Sequence, residues 1–257
     1  MLKRIWIITL FPEYFIPFLE HGVAGKALRN ERAVKDENTF ELKLLNLRDF
    51  ALNKYKSVDD TSYGGGAGMV MLPDVLKNAL FKGVIEAGAY GEDYKKKLHV
   101  VFPSPRGKTW TNEYCKDFAT RFYQFKEAEK DLVFICGRYE GIDERFIQNY
   151  VDEQMSVGDF ILTGGELAVL SILDSSLRYV PGVLGNKLGA QEESFENFLL
   201  EQPQYTKPRE FESLPVPEEL VSGHHENILK YQLKERERLT KLHRPDLWEK
   251  YLKGIKK

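Results

Sequence analysis

Cysteine is almost absent: Cys115 and Cys136 are the only two in 257 residues. Two thiols 21 positions apart make neither a disulfide framework nor a zinc site. There is no excess of positive charge either, because 37 Lys and Arg face 39 Asp and Glu for a net charge of −2. Any surface that meets nucleic acid must therefore be local. No apolar run is long enough to span a bilayer. The N-terminal stretch Leu2 to Leu10 resembles the start of a secretory signal, but Phe11-Pro12-Glu13 interrupts it and no small-residue cleavage site follows. The expected setting is cytoplasmic, with no membrane partner. Two ligand motifs are missing as well. No G-x-G-x-x-G follows a strand, and no G-x-x-x-x-G-K-[ST] phosphate loop occurs.

The chain does contain ordinary building material, with 42% hydrophobic and 30% charged residues. That is enough apolar side chain for one large core with a small appendage. Apolar runs at residues 3–10, 40–47, 98–102 and 131–135 predict buried strands, with shorter strands near 153–156 and 160–162. Helices are expected over 12–29, from about Pro73, from about Thr111, from Ile142, and from Gly164-Gly165 to Arg178. Residues 53–71 read as loop. Such alternation of strand, loop and helix predicts an α/β domain with a largely parallel sheet.

Composition changes near residue 182. Pro181-Gly182-Val183-Leu184-Gly185-Asn186 stops the last of these helices, and the polar stretch to residue 197 reads as a linker or lid. The expected organisation is a larger α/β domain over 1–183, an interdomain loop over 184–197 and a small helical domain over 198–257. Residues 228–257 carry ten Lys or Arg against four Asp or Glu. This local excess is either a solvated helix face or a surface for RNA.

Three glycine-rich turns follow predicted strands. They are Ser104-Pro105-Arg106-Gly107, Gly137-Arg138-Tyr139-Glu140-Gly141, and Val157-Gly158-Asp159 running on to Leu162-Thr163-Gly164-Gly165-Glu166. Ligands of open parallel sheets bind beyond the carboxyl ends of the strands. Glycine there lets the backbone approach a ligand closely. With no phosphate loop among them, the three turns predict a pocket for a nucleoside-like molecule without phosphates. Glu140 and Asp159 either accept hydrogen bonds from a ligand ribose or brace their own turns. Glu192 and Glu193 are either a general base on a loop or solvated charges. Arg178 either complements a helix C-terminus or balances charge on a substrate base. His224 and His225 lack a third ligand at metal spacing, so no metal site is expected from them.

Taken together, several long segments resemble one family. Tyr63-Gly64-Gly65-Gly66-Ala67-Gly68-Met69, Cys136 to Arg145, Val157 to Glu166 and Pro181-Gly182-Val183-Leu184-Gly185 are similar to the bacterial TrmD family of tRNA (guanine-N1)-methyltransferases. So are Pro203-Gln204-Tyr205-Thr206-Lys207-Pro208 and Ser222-Gly223-His224-His225, so the likeness covers nearly the whole chain. The resemblance implies a SPOUT-type, trefoil-knotted parallel sheet with a small helical C-terminal domain, assembled as a homodimer. It implies S-adenosylmethionine as methyl donor and guanine 37 of tRNA as acceptor. Phe102, Pro103, Ser104 and Pro105 would border the donor, with Gly137, Tyr139, Glu140 and Gly141. Val157, Gly158, Asp159, Leu162, Gly164 and Gly165 would complete that site. It also implies a magnesium requirement, for which the sequence offers no ligand set. The family's base lies in an Asp-Ser-Phe motif, and Glu193-Ser194-Phe195 stands here, spaced from Arg178 as that family spaces its arginine and base. Glutamate keeps the acid and adds roughly an ångström of reach. Tyr231-Gln232 stands where the family usually has Trp-Arg.

Overall fold

The computed structural model describes residues 2–31, 39–123, 130–184 and 193–255. The chain divides into two compact units, Met1–Gly185 and Asn186–Lys257.

In the first unit, five strands form one parallel sheet. They are β1 (Leu2–Thr9), β2 (Thr39–Asn46), β5 (Leu98–Thr109), β6 (Asp131–Ile135) and β7 (Glu153–Ser156), in the order β2-β1-β6-β5-β7. A short antiparallel pair, β3 (Asp59–Thr61) and β4 (Met69–Met71), lies outside it. The unit's α-helices are α1 (Ile16–Glu20), α2 (Gly22–Leu28), α3 (Pro73–Asn78), α4 (Tyr94–Lys97), α5 (Asn112–Tyr123), α6 (Glu144–Tyr150) and α7 (Glu166–Leu177). The sheet is apolar on both faces because helices cover both, as parallel sheets require. Ile5, Ile7, Leu132 and Phe134 pack under α5 and α7, with Phe118 and Ile172. Trp6, Ile8, Val133 and Ile135 point the other way, against Leu76, Leu80 and Phe146.

Four sequence expectations change in the folded chain. The single helix over 12–29 is a 3₁₀ turn (Pro12–Phe15) followed by α1 and α2, broken where Gly22 takes a φ of +73°. The glycine-rich loop over 53–71 contains the β3–β4 pair. The segment after α3 continues as a π-helix (Ala79–Glu86), where Gly83 leaves room for the Phe50 ring. The stretch 160–162 is not a strand.

In addition, β5 does not stop at Pro103. It bulges and then pairs again, so that Met155 of β7 faces both Pro103 and Lys108. Residues 104–107 are thereby held out of the sheet by pairing on either side of them.

The second unit contains β8 (Glu210–Phe211), β9 (Leu214–Pro215), α8 (Glu218–Val221), α9 (His225–His243) and α10 (Pro245–Ile255). Thr240 is buried on α9, accepting from the Leu200 amide at 2.8 Å and donating to the Arg236 carbonyl at 2.7 Å. His224 precedes α9 and caps it through its carbonyl, which accepts from Asn227 and Ile228, not through its ring. Among the described residues, no helix is long and apolar enough to cross a membrane.

The outer strand β7 is anchored to α5 by a cluster of polar side chains. Glu153 accepts from His99 at 2.7 Å and from the Tyr114 hydroxyl, and pairs with Arg121 at 3.3 Å. Burial alone would raise the Glu153 pKa. The hydrogen bonds from His99 and Tyr114, together with the Arg121 charge, outweigh it and hold the value at about 2. A depressed carboxylate stabilises the fold above its ordinary value of 4.5, and that contribution is lost as pH falls toward about 2. Glu153→Gln should therefore cost roughly 1–3 kcal/mol at neutral pH. Urea unfolding of both proteins at pH 7 and pH 3 checks this, and the gap between them should narrow at the lower pH.

Candidate functional site

The carboxyl ends of β5, β6 and β7 open into a cavity of about 250 Å³. Thirteen of the fourteen residues expected around a ligand line it: Phe102, Pro103, Ser104, Pro105, Gly137, Tyr139, Glu140, Gly141, Val157, Gly158, Leu162, Gly164 and Gly165. Asp159 is exposed and does not line it. Its neighbours Ser156 and Gly158 brace that turn instead, the Gly158 amide donating to Ser156 Oγ at 3.3 Å.

The three turns are packed on one another through backbone. Gly165 N–H donates to the Gly137 carbonyl at 2.8 Å. A β-carbon on Gly165 would lie 2.9 Å from Cys136 Cα and 3.0 Å from the Gly137 nitrogen. One on Gly137 would lie 2.8 Å from the Phe102 ring. Side chains are thus excluded by space at these two glycines.

A second layer holds the central turn from behind. The Met71 amide donates to the Gly141 carbonyl at 3.0 Å, the Glu140 amide to the Met69 carbonyl at 3.0 Å, and the Asp143 amide to the Met71 carbonyl at 3.3 Å. The loop between β3 and β4 lies so close that a β-carbon on Gly68 would meet the Glu140 carboxylate at 2.5 Å. Tyr139 has a φ of +57°, a strained value for an aromatic residue. Its phenol pKa is raised, by burial first and then by the hydrogen-bonded carboxylate of Asp59. The Tyr63 to Met69 motif, read as loop in the sequence, is the support of this turn.

The cavity also takes in residues that sequence reasoning left without a role: Arg138, Met155, Phe160, Ile161, Thr163 and Ala168. Arg138 and Phe160 lie inside the quoted motifs, so the motif was a sufficient signal. Met155 enters only through the β5 bulge, which apolar periodicity does not reveal.

The two remaining candidates are elsewhere. Arg178 follows α7 in the first unit, near enough to Cys115 to act on its thiol electrostatically. Arg178 does not line the cavity of the first unit. Glu193 opens a tight turn in the second unit, where Ser194 Oγ accepts from the Glu201 amide at 2.9 Å and the Glu193 carbonyl from Glu196 at 3.3 Å. Phe195, Asn197 and Phe198 there have φ of +78°, +51° and +63°. Three non-glycine residues in that region within four positions mark a backbone held under strain, a condition found at functional sites. Glu192 and the stretch 185–192 lie outside the described residues. Among the described residues no group of three His, Cys, Asp or Glu gathers as a metal site.

Gly165→Ala should lower stability by about 1–3 kcal/mol, because its methyl group meets backbone that cannot rotate away. A thermal melt checks this, and an unchanged midpoint would show that the two turns can move apart freely.

Comparison with known proteins agrees with the motif order. Residues 3–250 match the family model described as tRNA (Guanine-1)-methyltransferase TrmD. A tRNA (guanine-N(1)-)-methyltransferase of Clostridium perfringens (strain SM101 / Type A) is 47% identical over 247 residues, covering 96% of this chain and 94% of the relative. The protein of that name in Clostridium beijerinckii is 46% identical, covering 96% and 92%, and that in Clostridium tetani 45% identical, covering 98% and 94%. With the match running through all three turns, the hairpin behind them and the second unit, this chain belongs to the TrmD family of tRNA (guanine-1)-methyltransferases.

Proposed function

We propose that this chain transfers a methyl group from S-adenosylmethionine to N1 of guanine at position 37 of tRNA. The observation that carries the reading is the cavity walled by three interlocked glycine turns, in a chain of this family. Its wall fits a nucleoside-like molecule without phosphates better than a nucleotide. Main-chain groups and the apolar side chains of Phe102 and Leu162 border it, Glu140 offers a carboxylate to ribose hydroxyls, and the cation of the lining, Arg138, is paired with Glu166. The donor, when bound, supplies a methyl group already activated by its sulfonium.

Guanine N1 carries a proton at neutral pH and is a weak nucleophile until it is removed. Glu193 is the proposed base, an effect worth about 10²–10⁴-fold. Arg178 is proposed to stabilise the negative charge that grows on the guanine O6 as the proton leaves. Alignment of acceptor and methyl in a dry pocket would then supply the larger part of the rate. The target base must leave the anticodon-loop stack to be reached. The basic excess over residues 228–257 favours α9 and α10 as a surface for the tRNA backbone. The magnesium requirement implied by the resemblance finds no ligand cluster among the described residues, and no step is routed through it.

A trefoil knot in the first unit is part of the proposal. It is favoured by the segment after β7 running tightly against the turn after β6, at the Gly165–Gly137 contact. A homodimer is proposed as well, since Phe11, Tyr14, Ile16 and Val23 leave apolar surface that a second copy would cover. A cytoplasmic location follows from a tRNA substrate.

Labelled S-adenosylmethionine and paired tRNA transcripts with guanine or adenine at position 37 test the reaction. Label is expected on the guanine transcript alone, with a primer-extension stop at that base. Equal labelling of both, or none, would overturn it. Glu193→Gln should bind donor normally and lose about 10²-fold or more in turnover. Full turnover in that variant would remove Glu193 as the base.

A further inference from the structure

Beside the cavity lies a buried ion pair that has no part in the reaction above. The Glu166 side chain is 1% exposed and that of Arg138 13%, and they approach at 2.9 Å. Glu166 Oε1 accepts from Thr9 Oγ1 at 2.7 Å, at the end of β1. Arg138 Nη1 donates to the Thr163 carbonyl at 3.1 Å. The guanidinium lies over the rings of Phe11 at 4.5 Å and Tyr14 at 5.4 Å. One guanidinium therefore touches three segments: the stretch after β1, its own turn after β6, and the turn that opens α7.

Space has been cleared for this contact. A β-carbon on Gly164 would lie 2.2 Å from Arg138 Nε and 2.5 Å from Glu166 Oε2. Yet the pair is not arranged for strength. Arg138 Nε donates no hydrogen bond and Glu166 Oε2 accepts none, so the paired, fork-like geometry that makes arginine and carboxylate strong partners is not used. A buried ion pair of this kind adds little stability compared with apolar residues, although breaking one side of it is costly. Stability alone does not account for it, whereas the cross-tie between turns does.

Resting on the methyl-transfer reading, we propose that Arg138 and Glu166 are a positioning pair. They fix the offset between the turn at 137–141 and the turn at 162–165, and with it the direction in which the donor methyl is presented. Arg138 lines the cavity, and Glu166 acts through it. A shift of about 1 Å between the two turns would cost on the order of 10²-fold in rate while leaving most donor contacts intact.

The test compares Arg138→Met, Glu166→Gln, their combination and Arg138→Lys with the native chain. Melting temperature, Kd for S-adenosylhomocysteine and single-turnover methyl transfer to the guanine-37 transcript are measured for each. Each single variant should lose about 30- to 100-fold in single-turnover rate with Kd within about threefold. The double variant should be no slower than the worse single one, because both changes cut the same link. Arg138→Lys keeps the charge, but one ammonium cannot reach Glu166, the Thr163 carbonyl and the Phe11 ring at once; it should melt near the native temperature and lose at least about tenfold in rate. Multiplying losses in the double variant, parallel losses of Kd and rate, or a native rate in Arg138→Lys would overturn the proposal. The lysine variant decides the matter if Arg138→Met does not fold. A native chain that transfers no methyl group overturns the reaction and this pair together, whereas a native chain that transfers and variants that match it overturn the pair alone.

Discussion

Gly165 donates its amide hydrogen to the carbonyl of Gly137 at 2.8 Å, and at that separation a β-carbon on Gly165 would fall within 3.0 Å of the facing backbone. The rest of the cavity depends on this approach. It brings the segment after β7 onto the turn after β6, and Gly137 in turn lies flat on the Phe102 ring at the bulge of β5. Three strands that are neighbours in the sheet are thereby tied at their carboxyl ends as well as along their length. The support reaches outward from there, through Met71 to Gly141 and through Asp59 to Tyr139. The same crowding explains why the motifs are rich in glycine without matching a phosphate-binding pattern: Gly165 makes room for backbone, and Gly137 and Gly164 for the side chains of Phe102 and Arg138.

Much of this architecture was legible in the sequence wherever burial leaves a simple mark. The strands β1, β2 and β6 coincide with their apolar runs to within a residue or so, because a parallel strand is apolar on both faces. Elements that answer to space and not to burial were hidden. The β3–β4 pair has three residues a strand, β3 is polar, and glycine dominates the stretch between its strands, which reads as loop. The break between α1 and α2 rests on the backbone of a single glycine, and the bulge in β5 on a register that only its partner strand reveals.

The site divides along the same line. Its lining residues sit inside quotable motifs, so motif order located thirteen of them in one cavity. Ion pairs formed across the fold leave no such trace. Arg138 and Glu166 are 28 positions apart, and each reads as decoration of its own turn until the turns are stacked. Likewise Glu153, His99, Tyr114 and Arg121 come from three separate elements, and nothing in their spacing marks them as one cluster.

The crowding around two glycines of the cavity wall also bears on inhibition. Drug resistance usually arises when a contacting side chain is exchanged for another that keeps the enzyme working. Gly137 and Gly165 have no side chain to exchange, and any replacement introduces atoms where the Phe102 ring or the facing backbone already stands. A compound that draws its affinity from those peptide groups would leave the target few routes of escape. One that relied on the exposed rim residues Phe160 and Ile161 would leave it many.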